Sequence, residues 1–242
     1  EGGEWTTWMW DLETGQGRSV LTSDTLGLPP FGWIDEESFL VNPRRAVQGS
    51  RPGLFEGSLR GELKALSSEP ASWPAVHPDW NQIVLSHFVE RRLQVIHRDG
   101  TPGFEFGLHG YQMDFSPDGD WLAYRNDDGI FIAPFPSGDF PRLVVEPPAE
   151  LPRWSTSGDA LFYREAGEFW KIPVGVSDRA VDLGEAELFA TGPFVRVWAW
   201  PYAVMPDDRL LSVMGSPERS TDHLEVITNF TSVLEERAPR RR

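Results

Sequence analysis

The chain has no cysteine, which excludes a disulfide framework, a thiolate zinc site and a cysteine nucleophile. It has two lysines, Lys64 and Lys171, so nearly all of its positive charge is arginine. Positive charge is itself scarce. The 22 Lys+Arg stand against 37 Asp+Glu, a net −15. That balance argues against DNA or RNA as a partner, because phosphates need a basic face. The one extended basic run, Arg237 with Arg240, Arg241 and Arg242, reads as a solvated terminus. No stretch of 18 apolar residues occurs, so the sequence holds no helical membrane span, and no secretory signal is visible. Long uninterrupted helical patterns are missing too. With 23 Gly and 21 Pro in 242 residues, the chain is cut into short elements and a helix bundle is excluded.

What the chain does have is aromatic residues, eleven Trp, fifteen Phe and four Tyr, too many for a disordered acidic polymer. It also repeats. Five segments carry an apolar stretch, a turn, and a second apolar stretch. The clearest is Met113-Asp114-Phe115-Ser116-Pro117-Asp118-Gly119-Asp120-Trp121-Leu122-Ala123-Tyr124. The others run over 75–85 and 153–163, with weaker copies over 31–41 and 202–211. Their third turn residues, at 35, 79, 118, 157 and 207, are 44, 39, 39 and 50 residues apart. Spacings of this size belong to propeller blades of four strands. The turn chemistry agrees. Pro117 presets φ at the second turn position, Asp118 follows, and Gly119 supplies the positive φ that closes a hairpin.

Each hairpin is followed by an alternating third strand, at 53–59, 92–97, 129–134, 168–174 and 223–229, and four of them by a fourth, at 62–66, 104–108, 142–146 and 187–191. Residues 5–12 and 19–22 read as the third and fourth strands of a blade. The expected organisation is all-β: a partial blade over 1–22, blades near 28–67, 73–108, 111–146, 151–191 and 199–230, and a tail at 231–242 whose residues 231–237 are the one candidate helix. About five to six blades are therefore present. Because the chain starts at Glu1 and already in a strand, the expectation is a larger propeller cut on its N-terminal side; the alternative is a ring closed by the N-terminal strands pairing with the last blade.

The segments Phe115-Ser116-Pro117-Asp118-Gly119, Pro152-Arg153-Trp154-Ser155 and Trp10-Asp11-Leu12-Glu13-Thr14-Gly15 resemble the WD-like β-propeller repeats of the TolB type. More narrowly, Ile132-Ala133-Pro134-Phe135-Pro136, Leu161-Phe162-Tyr163-Arg164 and the ending Leu224-Glu225-Val226-Ile227-Thr228-Asn229-Phe230 resemble the C-terminal propeller of bacterial serine/threonine protein kinases. That resemblance implies a kinase domain and a membrane helix upstream, and an extracytoplasmic propeller. The copies at Asp35-Glu36, Asp79-Trp80 and Asp207-Asp208 depart from the pattern by lacking the turn glycine.

Several motifs suggest chemistry and fail on their context. His97-Arg98-Asp99 copies a kinase catalytic-loop triad, but the position for the metal-binding Asn holds Phe104, and Gly100-Thr101-Pro102-Gly103 reads as a turn. No Gly-x-Ser-x-Gly elbow occurs. Ser116-Pro117-Asp118-Gly119-Asp120-Trp121 approaches a sialidase-type Asp box with the wrong spacing. His77, His87, His97, His109 and His223 have no metal-ligand spacing. Asp35-Glu36-Glu37 and Asn126-Asp127-Asp128-Gly129 are acidic clusters, the second a polar hairpin tip that lacks the later ligands of a calcium loop. Asn229-Phe230-Thr231 is a glycosylation sequon.

No catalytic, cofactor-binding or metal-binding residue is therefore assigned, and no cofactor is expected. The reading is a non-catalytic interaction or sensor module, monomeric, with a protein, peptide or small ligand at its loop face or channel. The alternatives are the propeller of a prolyl-oligopeptidase-like peptidase, or a propeller enzyme with convergent carboxylates or histidines at the channel mouth.

Overall fold

The computed structural model describes residues 5–11, 14–23, 30–42, 53–177, 180–194 and 202–212. These residues form β1 (Trp5–Trp10) and β2 (Gly17–Ser23), then four antiparallel sheets built from consecutive strands. The first is β3 (Pro30–Trp33), β4 (Ser38–Val41), β5 (Phe55–Ser58) and β6 (Leu63–Ala65). The second is β7 (Ala71–Val76), β8 (Gln82–His87), β9 (Arg92–His97) and β10 (Pro102–His109). The third is β11 (Tyr111–Phe115), β12 (Trp121–Asn126), β13 (Gly129–Pro134) and β14 (Arg142–Val145). The fourth holds β15 (Glu150–Trp154), β16 (Ala160–Glu165), β17 (Glu168–Ser177), β18 (Ala180–Leu183) and β19 (Glu187–Ala190). A last hairpin pairs β20 (Tyr202–Val204) with β21 (Leu210–Ser212). This is the expected β-propeller of four-stranded blades. The predicted strand at 223–229, the helix at 231–237 and the tail lie outside the described residues. The chain divides into two compact units, Glu1–Met113 and Asp114–Arg242.

The second strand of each blade is buried along its length. Ile83-Val84-Leu85, Leu122-Ala123-Tyr124 and Leu161-Phe162-Tyr163 are each at most 2% exposed. Unbroken apolar runs suit a strand covered on both faces. The outermost strand β6 is exposed throughout. Gly57, in β5, is required by close packing. A Cβ there would stand 2.6 Å from Leu21 Cδ1, in the cluster where Val20 and Leu21 of β2 meet Phe39 and Val41 of β4.

The turns keep one geometry through different residues. Ser116 N–H donates to Trp121 O, Ser155 N–H to Ala160 O and His77 N–H to Gln82 O, all at 2.9 Å. Gly119 and Gly158 take the left-handed position at φ 82° and 77°. Trp80 takes the same place at φ 66°, whereas Asp207 and Asp208, left-handed at 63° and 61°, sit in a turn one residue shorter that Met205 N–H closes on Arg209 O. The Asp35-Glu36 turn instead shortens, with Ile34 N–H donating to Ser38 O. The Trp-Asp motif at Asp11 works similarly: its Oδ1 accepts the Thr14 N–H at 3.0 Å, closing the β1–β2 turn.

Two features recur that the sequence did not disclose. The first is a bulge near the start of the first strand, where Trp73, Gln112 and Leu151, spaced 39 residues apart, sit at φ 50°, 54° and 59°. The second is a latch between blades. Asn42 Nδ2 donates to Ala71 O (3.1 Å), and Ser86 Oγ to Gly110 O (2.6 Å). Arg164, at the same repeat position, donates from Nη2 to Phe194 O at 3.4 Å. The fourth blade also exceeds its forecast. The long β17 pairs β19 along its first half and the extra strand β18 along its second, from Val174 to Ser177.

Ser86 is fully buried. Ser86→Ala should therefore destabilise the fold by about 1–2 kcal/mol, since the Gly110 carbonyl loses its partner away from water. A urea titration checks this; an unchanged midpoint would remove the latch from the list of forces joining blades.

Candidate functional site

In an antiparallel four-stranded sheet the first and third connections lie at the same end. In the first two blades this end gathers charged residues. The Asp35 turn contributes a carboxylate whose Oδ1 accepts the N–H groups of Glu37 and Ser38 (both 2.8 Å) and the Ser38 hydroxyl (2.7 Å). From the β9–β10 turn of the next blade, Arg98 reaches across. Its Nη2 donates to Glu56 Oε1 at 2.7 Å and to Ser38 Oγ at 2.9 Å, and it also pairs with Asp35 Oδ2. Nε adds a bond to Glu56 Oε1 at 3.2 Å. Lys64, in β6, donates to Arg98 O at 3.2 Å and stands 3.9 Å from Glu56 Oε2.

Beside this clamp opens a cleft of about 490 Å³, lined by Glu56, Ser58, Glu62, Lys64, Asn81, Arg98 and Asp99. Two carboxyls at this end, Asp35 and Asp99, are held below their ordinary values. Burial works to raise the Asp35 carboxyl, but the Ser38 hydroxyl, the Glu37 N–H and the Arg98 guanidinium outweigh it and hold the group at about 2. The Thr101 hydroxyl and N–H, at 2.6 and 2.8 Å, hold the Asp99 carboxyl below its ordinary value. Charged groups held far from neutral pH suit electrostatic recognition better than proton transfer.

The kinase-like triad resolves into separate duties. His97 N–H and O close a turn whose Gly100 has φ 91°, Arg98 is the clamp, and Asp99 caps the turn through Thr101. The histidines are dispersed: His87 Nε2 meets Gln94 Oε1 at 3.0 Å, and His77 Nδ1 stands 2.9 Å from Asp79 Oδ1. Among the described residues no three His, Asp or Glu come together as a metal-holding group. Asn126 to Gly129 form the tight β12–β13 hairpin, with Asp128 N–H donating to Asn126 Oδ1. His223 and the sequon at Asn229 lie outside the described residues.

The second unit has a half-buried polar group of its own. Asp114 accepts Arg153 Nη1 at 2.7 Å and Trp154 N–H at 2.8 Å. Burial pushes its carboxyl up against that pairing. Arg125 lies 3.9 Å from Glu150, whose strand neighbour is the buried Arg164. Tyr202 donates its hydroxyl to Leu151 O, and burial raises it far above the usual phenol range. Sequence reasoning missed both clusters, because their partners lie far apart in the chain. The available signal was the repeat register, which puts Asp114 and Arg153 on neighbouring first strands.

Known structures share the fold. A protein assigned as TolB from Agrobacterium tumefaciens superposes with a TM-score of 0.66 at 17% identity, over 93% of this chain and 84% of that one. TolB from Acinetobacter baumannii matches with a TM-score of 0.60 at 14% identity, over 88% of this chain and 54% of its own. A protein assigned as a 6-phosphogluconolactonase from Bacteroides uniformis gives 0.54 at 14%, over 92% and 76%. No family profile and no curated protein matches the chain. At these identities the likeness carries the architecture, a TolB-like propeller.

Arg98→Met keeps the stem and removes the charge, leaving Asp35 and the largely buried Glu56 without their shared cation. It should cost about 2 kcal/mol at neutral pH, less than a fully buried pair because the cluster is partly solvated. Asp35 is depressed when folded, so its contribution is present above the unfolded value of 3.8 and is lost as pH falls through about 2. The gap between wild type and Arg98→Met in urea should therefore narrow between pH 5 and pH 2. A gap constant over that range would overturn the clamp assignment.

Proposed function

We propose that this chain is a non-catalytic β-propeller recognition module of a larger bacterial protein, such as a membrane-attached serine/threonine kinase. The observation that supports it is the cleft itself, an open site of about 490 Å³ walled by charged side chains, with Asp35 held ionised beside it. The partner would be a protein, a peptide or a small ligand, and the chain would act as a monomer. The kinase parent rests on the resemblance carried by residues 132–136, 161–164 and 224–230. In that setting the propeller would face the extracytoplasmic side. No helix among the described residues is long and apolar enough to cross a membrane.

A second reading, a propeller hydrolase, draws on the Asp114 carboxyl that burial raises beside Tyr202, and on the lactonase assignment of one structural neighbour. Its carboxylates Asp114 and Glu150 each face an arginine, which makes them better suited to joining strands than to activating water.

The purified chain should neither transfer phosphate from ATP to a peptide nor open 6-phosphogluconolactone faster than buffer. The reading frame upstream of Glu1 should encode a kinase domain followed by a hydrophobic span. Turnover by the wild type that Asp114→Asn abolishes would replace recognition with catalysis. An upstream frame without a kinase would remove the parent and leave the module.

A further inference from the structure

We draw no further inference here: the strongest candidate, the pair of indole N–H groups of Trp154 and Trp170 buried without a hydrogen-bond partner in the apolar core between the third and fourth blades, carries nothing because nothing in the structure shows what they would bind.

Discussion

An edge strand has backbone groups that its own sheet cannot satisfy, and each blade here has such an edge on its first strand. The structure meets this constraint at one repeat position. Asn42, just past the second strand of its blade, and Ser86, near the end of its own, reach the Ala71 and Gly110 carbonyls where the next blade begins. A sheet edge left bare would be a template for foreign strands, and a buried carbonyl left bare would cost free energy comparable to a lost hydrogen bond. The recurrent bulge belongs to the same solution. Trp73 and Gln112 accept a left-handed backbone close behind those carbonyls, a conformation that persists only where neighbours over-determine it.

From this joint follows much of what the chain can do. A four-stranded blade is buried on both faces only when another blade lies beside it, so the second strands can be as apolar as Leu161-Phe162-Tyr163. Polar chemistry is displaced to the strand ends. There the turns carry carboxylates as caps, Asp35, Asp99 and Asp118 among them. A cap is a pre-oriented anion. Where Arg98 from the next blade meets one such cap, Asp35, together with the strand carboxylate of Glu56, the turn becomes part of an ion cluster at no further cost in backbone order.

The repeat, the turn residues and the strand order were legible in the sequence because they depend on near neighbours. Ser116 to Gly119 specify a hairpin whatever lies beyond them, and 92–97 and 129–134 read correctly as third strands from alternation alone. The strand at 168–174 was read short, since its continuation to Ser177 depends on pairing with β18, a local hairpin that the repeat pattern does not contain. The latch could not be read, because it is filled by Asn42, Ser86 and Arg164, three residues that share only a donor. The Arg98 clamp was equally hidden. His97-Arg98-Asp99 drew attention for its likeness to a catalytic loop, while the partner that matters, Asp35, lies 63 residues away.

The departures from the repeat carry the most information about the site. Three turns keep the Ser-Pro-Asp-Gly backbone geometry, and in two of them a glycine takes the left-handed place. The two turns that break the residue pattern nearest the cleft are the shortened Asp35 turn and the one where Trp80 stands in for glycine. A tryptophan in a left-handed backbone is disfavoured locally, so its presence there needs a return from elsewhere. That turn sets Asn81, whose carbonyl receives the Arg98 N–H, and the shortened turn presents Asp35 to the Arg98 side chain. Both irregularities thus converge on Arg98, which lines the cleft. Sequences tend to violate local rules where a site requires it. Here the violations and the cleft coincide at the joint between two blades.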